Sequence, residues 1–321
     1  MTPPRVALAA LGLALLSALF FTSTYVLNRA AAVDGGHWAW MASLRYLITL
    51  PLMLPLMGGG RLRPLLATLR GHPGAWLGWS GIGFVLFYVC LSAAAASGPA
   101  WLVAGTFQLT VVAGMLVAPF LYRDARARIP RAAFGIGAVV LVGVLLMQVG
   151  HADGPLDAAG WRALVLVAIA AFAYPLGNRG LMLHLERAGI ELDATQRVFG
   201  MTLASAPAWL LVAAFAYSHA GTPTLAQVGL AAGVALGAGV IATVLFFRAT
   251  GLVRRDPAAL AGAEAMQAAE ILFATAIGAL WLGEAWPRGM AAAGAGTVAA
   301  GIVAFSLAAA RSQRRPPGAG G

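Results

Sequence analysis

Lysine is missing from this chain, and all 21 basic residues are arginine. That removes the phosphate-binding lysine of a P-loop, so the chain hydrolyses no ATP by that route, and it removes any Schiff-base lysine. Cysteine is limited to Cys90, inside an apolar stretch. A disulfide within the chain and a cysteine-based metal site are both excluded, and a buried structural thiol is the simplest reading. Charge is scarce as well. Charged residues make up 10% of the 321, where a soluble domain carries about 25%, and 60% are hydrophobic. This is a membrane-protein composition, and no gap between apolar runs could hold a soluble domain. The net charge of +10 is scattered between those runs rather than gathered on one face. That argues against a nucleic-acid partner and for a role in membrane orientation.

Enzyme signatures are equally thin. No HExxH motif or cluster of metal ligands occurs. Gly78-Trp79-Ser80-Gly81 matches the serine motif of rhomboid-type intramembrane proteases, but that chemistry needs a histidine base in another span. All five histidines (His37, His72, His151, His184 and His219) fall in loops or at span ends. The expectation is a protein that is no enzyme and needs no cofactor.

What is present is a succession of apolar runs of membrane length. Residues 6–28 follow Arg5 without interruption, too long for a signal-peptide core and with no small-residue cleavage site, and read as a retained first helix. Nine further spans are expected at about 38–57, 74–96, 100–122, 131–149, 161–183, 197–217, 225–247, 257–282 and 287–309. Residues 311–321, with Pro316, Pro317 and three glycines, read as a disordered tail. With the N-terminus inside, Arg5; Arg61, Arg63, Arg70; Arg123, Arg126, Arg128, Arg131; Arg179, Arg187, Arg197; Arg248, Arg254, Arg255; and Arg311, Arg314, Arg315 are cytoplasmic. That leaves Arg29, Arg45, Arg162 and Arg288 toward the outside, so the positive-inside rule puts both termini in the cytoplasm of a bacterial inner-membrane protein.

A repeat runs through the spans. Asn28-Arg29 recurs as Asn178-Arg179, and Gly74, Gly78, Tyr88 and Gln108 align at one offset with Gly233, Gly237, Phe247 and Gln267. Two five-helix halves follow, 1–150 and 151–310. Five is odd, so the halves insert upside down relative to each other, a plan common in secondary transporters. Ten spans, short loops and inverted halves resemble the drug/metabolite transporter superfamily. The stretch FFTSTYVLNRAAAVDGGHWAWMASLRYLITLPLML is similar to its multidrug resistance efflux transporter branch, the EmrE-like ten-helix proteins. The resemblance implies export of small organic molecules. In the four-helix small multidrug resistance family a first-helix glutamate couples proton and substrate. Here the first span holds Thr22, Ser23, Thr24 and Tyr25 and no acid, so that role does not carry over.

The candidate chemistry lies in span nine instead. Glu264, Gln267 and Glu270 share one face if 257–282 is a continuous helix, and Glu270 falls near the bilayer midplane. An ionisable carboxylate there costs about 2.5 kcal/mol or more unless it meets a partner or a wet cavity. A carboxylate tuned toward neutrality could take a proton from one side and release it to the other, and a cationic or polar substrate at the same place would exclude the proton. The alternative is an acid snorkelling to the interface or bonded between helices. Gln267 and Gln108 could form a polar pair across the pseudo-symmetry axis, or be structural amides. Thr22, Ser23 and Tyr25 could line the same cavity, although hydroxyls more often bond back to the preceding turn. Arg45 is close enough to its span end to snorkel and Arg29 could pair with Asp34, or the two together could attract an anionic group, with structural anchoring the favoured reading. Glycines at 74 and 78 and at 229, 233 and 237 predict close helix approach, and Trp38, Trp40, Trp101, Trp281 and Trp286 an interfacial belt. The expected partners are a small-molecule substrate, protons and the lipid bilayer, and a monomer is compatible with the pattern. A carrier that exchanges metabolites without protons, or a non-transporting subunit or receptor, are the readings to separate from proton-coupled efflux.

Overall fold

The computed structural model describes residues 4–123, 127, 131–151, 158–253, 263 and 266–312. Glu264, the Arg254-Arg255-Asp256 turn, Arg126, Arg128 and residues 313–321 of the expected tail lie outside the described residues. Among the described residues every regular element is a helix. The backbone of a lipid-embedded chain must satisfy its polar groups internally, and a helix does so within one segment.

Seven helices are long and apolar enough to cross a membrane: α1 (Arg5–Val33), α2 (Trp38–Gly71), α3 (Pro73–Ala95), α4 (Ala100–Leu121), α6 (Ala158–Arg187), α7 (Ala194–Ala220) and α8 (Leu225–Val253). Between and after them lie α5 (Arg131–His151), α9 (Ala269–Trp281) and α10 (Gly289–Ser312). Phe120, Leu211, Leu225 and Leu280 are exposed. A soluble surface would not tolerate so many large apolar side chains, whereas acyl chains do. The chain is a multi-pass membrane protein.

Several helices depart from regularity. α2 runs well past the expected residue 57 because its chain continues through a break at Gly58, where φ is 53°. Only glycine adopts that conformation without a steric penalty. α1 is interrupted at Thr22 and α4 at Gln108. α3 is π-helical over Gly81–Leu86 and α8 over Ala235–Ala242. The expected uninterrupted ninth span is also corrected. A tight turn of 3-10 helix occupies Met266–Ala268 and α-helix begins at Ala269, so Gln267 is not in α-helical register with Glu270.

The principal packing pairs are α5 with α10 and α2 with α7, followed by α1 with α8, α3 with α6, α4 with α6 and α9, α2 with α8, and α3 with α7. Small residues set the closest approaches, though not all of those expected. Gly74, Gly78 and Gly229 have open space where a side chain would stand. Gly233 and Gly237 do face a neighbour, at Leu27 and Ser23 of α1. Two tight seams lie elsewhere. A Cβ on Gly177 of α6 would lie 2.3 Å from the Gly83 nitrogen of α3. α5 and α10 meet similarly, where a Cβ on Gly143 would lie 2.9 Å from the Gly294 carbonyl oxygen. Of the tryptophans expected at interfaces, Trp281 and Trp286 are exposed, but Trp101 is buried in the core.

Candidate functional site

Aromatic side chains from six helices meet in the middle of the bundle. Tyr46 of α2 stacks on Trp209 of α7 with ring centroids 4.5 Å apart. It also meets the edge of Tyr88 of α3 at 5.4 Å. Phe87, one residue earlier on α3, contacts Phe107 of α4 at 5.5 Å and Tyr174 of α6 at 5.0 Å. Tyr25 of α1 completes the wall, 6.5 Å from Phe107. Tyr174, which also meets Phe107 at 6.2 Å, is the most exposed of these rings at 40%.

Two charged residues lie among these rings. Glu270, in the first turn of α9, is buried, and Tyr25 donates its hydroxyl proton to Glu270 Oε2 at 2.9 Å. Among the described residues no arginine pairs with Glu270. Arg45 holds its guanidinium carbon 4.3 Å from the Tyr46 ring centre and 4.1 Å from that of Tyr88. Snorkelling outward was the expectation. Instead the side chain turns inward because two ring faces offer cation–π contacts there. Asn28 donates from Nδ2 to the Tyr88 hydroxyl at 2.9 Å and to the Thr24 carbonyl. Arg45, Tyr88 and Asn28 thus form one polar chain, which α1 links through Tyr25 to Glu270. Tyr174 lies within electrostatic reach of both Glu270 and Arg45.

The other expected site residues are placed differently. Thr22 Oγ1 donates to the Ala18 carbonyl and Ser23 Oγ to the Phe20 carbonyl, so both hydroxyls are satisfied by their own helix. Gln108 Nε2 reaches the Ala104 carbonyl at 3.5 Å, and Gln267 Nε2 the Ala14 carbonyl of α1 at 3.4 Å. Each glutamine is used locally or against α1, and neither bonds to the other. Gln267 Oε1 is buried without a hydrogen-bond partner. Glu264 lies outside the described residues.

Sequence reasoning passed over Glu284, in the turn between α9 and α10. Arg29 pairs with this residue at 3.4 Å, not with Asp34. Glu284 also accepts from the Ala100 backbone N–H at 3.0 Å, capping the start of α4, while Arg29 Nη1 donates to the Ala96 carbonyl at 3.3 Å. Burial pushes the Glu284 carboxyl above the ordinary carboxylate range, and the Ala100 N–H and Arg29 pull it partly back. At the far end of α2 a second pair, Arg61 with Asp193 at 3.6 Å, is mostly exposed.

A carboxylate and a guanidinium, unpaired with each other, thus stand among rings inside a bundle of membrane-length apolar helices. The sequence profile of the EmrE family, described as "Putative multidrug resistance efflux transporter", matches residues 8–311. The chain belongs to this family. A Bacillus subtilis (strain 168) relative, "Uncharacterized protein YjlA", is 42% identical over 96% of this chain and 96% of its own. A Shouchella clausii relative, "Uncharacterized 42.1 kDa protein in intracellular alkaline protease 3'region", is 40% identical over 83% of this chain and 71% of its own. A protein crystal structure shares the fold, with a TM-score of 0.63 at 15% identity, covering 95% of this chain and 99% of that one.

Proposed function

We propose that this chain is a secondary transporter that exports small organic molecules across the bacterial inner membrane in exchange for protons, with Glu270 carrying either a proton or substrate. The observation that carries the reading is the Glu270 carboxylate, buried with a tyrosine hydroxyl for a partner and, among the described residues, no arginine. It lies eleven residues before Trp281 at the end of α9, about 17 Å along the helix and so near the midplane of a hydrocarbon layer about 30 Å thick. An ionised carboxylate at that depth is costly, and a proton or a cationic group relieves the cost. The missing P-loop lysine points to an ion gradient rather than ATP as the energy source.

Ten crossings in two inverted halves, 1–150 and 151–310, form the frame of this reading. The packing supports it. Exchanging each helix for the one five places on turns α1–α8 into α6–α3, α4–α6 into α9–α1 and α2–α8 into α7–α3, all of which occur. The pairs α2–α7, α4–α9 and α5–α10 map onto themselves. The irregularities correspond as well: π-helix in α3 and α8, and interruptions at Gln108 and Gln267. Asn28 and Asn178 each donate to the carbonyl four residues back. Broken helices near mid-depth between inverted halves are where such carriers bind substrate. The arginine distribution orients both termini toward the cytoplasm.

Reconstituted into vesicles and given an acid-outside pH gradient, the protein moves a fluorescent drug or labelled metabolite against its concentration gradient. Glu270→Gln abolishes that flux and its pH dependence. Pumping that survives the substitution would falsify the coupling. Flux that ignores an imposed pH gradient in the wild type would instead identify an exchanger.

A further inference from the structure

Proton exchange at Glu270 leaves Arg45 without a task. Its position is costly for a charge: seven residues into α2, among rings, with no carboxylate paired to it among the described residues. The faces of Tyr46 and Tyr88 compensate the charge in part. A ring face does not accept the in-plane N–H groups of a guanidinium, however, and Nε and Nη1 are buried without hydrogen-bond partners. Unsatisfied donors on a buried cation are expensive, and intramembrane arginines therefore mark functional sites by default. The rings around it are also fixed. Trp209 stacks on Tyr46, and Asn28 bonds the Tyr88 hydroxyl, so the guanidinium sits in a built socket.

We infer that Arg45 is the anion subsite of the central cavity, and that the substrate carries a carboxylate or similar oxyanion with an apolar or aromatic body. The planar guanidinium offers a fork of donors that matches the two oxygens of a carboxylate. The body of the molecule lies against Tyr46, Phe87, Phe107 and Tyr174, and a basic group, where the substrate has one, reaches toward Glu270 on the far side of Tyr174. Amphoteric molecules and organic acids fit this arrangement, and purely cationic drugs do not. Arg45 as a whole is only partly buried while Nε and Nη1 are sealed. With the rings fixed, entry requires the flexible arginine side chain itself to shift within the socket. The inference rests on the transporter reading for its cavity but not on proton coupling.

Equilibrium binding to the purified full chain, without any gradient, tests it through the fluorescence of Trp209 and by calorimetry. Three probes with one body separate the charges: 3-phenylpropionate (acid), phenethylamine (base) and phenylalanine (both). The expected order is binding of phenylalanine and 3-phenylpropionate, with phenethylamine about tenfold weaker or worse, the range spanned by one charge-assisted hydrogen-bonded contact. Arg45→Gln removes the preference, and Arg45→Lys restores part of it because the charge remains and the fork is lost. Glu270→Gln still binds 3-phenylpropionate, so failure of proton coupling and failure of the anion subsite give different results. Equal or tighter binding of phenethylamine by the wild type overturns the inference, as does no binding by any of the three. Unchanged selectivity in folded Arg45→Gln or Arg45→Lys overturns it too. Should Arg45→Gln not fold, the wild-type ranking and Arg45→Lys still decide.

Discussion

Glu270 and Glu284 stand fourteen residues apart, at the start of α9 and just beyond its end, and both carboxylates are buried. Their surroundings differ. Glu284 has Arg29 at 3.4 Å and the Ala100 N–H at 3.0 Å, and through them it ties the end of α1, the start of α4 and the α9–α10 turn together. Glu270 has one tyrosine hydroxyl. A carboxylate supplied with a cation and a backbone donor is committed to holding structure. One supplied with a single neutral donor remains free to exchange what it holds. Burial alone does not distinguish a structural acid from a working one; the partner set does.

Four substitutions sharpen or break that contrast. Glu284→Ala leaves the Ala100 N–H and Arg29 without their acceptor, and should cost about 2 kcal/mol of stability, read as a lower unfolding midpoint in detergent. Glu270→Gln has the opposite sign. It replaces an under-compensated charge with a neutral amide that Tyr25 can still bond, so stability rises by about 1 kcal/mol while coupled flux is lost. A destabilised but transport-competent Glu270→Gln would reverse the assignment of the two acids.

The third uses pH. The folded-state value of Glu284 lies above its unfolded value, so across the interval between them the folded protein binds more protons than the unfolded chain. Stability contributed at this residue is present below the ordinary carboxylate value and falls as pH rises through the raised one. The wild type should therefore lose stability relative to Glu284→Gln as pH climbs from about 4.5. Parallel profiles would mean that Arg29 and the Ala100 N–H cancel burial, and a wild type that gains stability as pH rises would mean that they outweigh it. The smallest effect belongs to Tyr25→Phe, about 1 kcal/mol or less in stability from one lost hydrogen bond, with an altered pH profile of flux and no change in expression.

How much of this could be read from the residues alone depends on whether a property is local. Apolar run length and arginine placement are local, and they point to the membrane class without any contact information. The cost of an acid inside a span is local too, and it drew attention to Glu264 and Glu270, the second of which lies among the described residues. Its bond from Tyr25, 245 positions away, is not. Nor is the pairing of Arg29 with Glu284, which a plausible neighbour, Asp34, obscured. Arg45 turns inward because rings from α2 and α3 face it, whereas an isolated helix leaves snorkelling as the cheaper choice. Thr22 and Ser23 followed the common habit of membrane hydroxyls and bonded to their own backbone. Glycine spacing found Gly233 and Gly237 but not the Gly83–Gly177 seam, since a close approach depends on which face the partner helix presents.

That seam bears on how the molecule could move. Hydrogen atoms alone on the facing α-carbons of Gly83 and Gly177 let the α3 and α6 backbones touch, so rotation of α3 over α6 has to move the flanking rings, Trp79 over Gly180 and Phe87 against Tyr174. The contact falls inside the π-helical stretch of α3, Gly81–Leu86, a wider coil than the α-helix on either side of it.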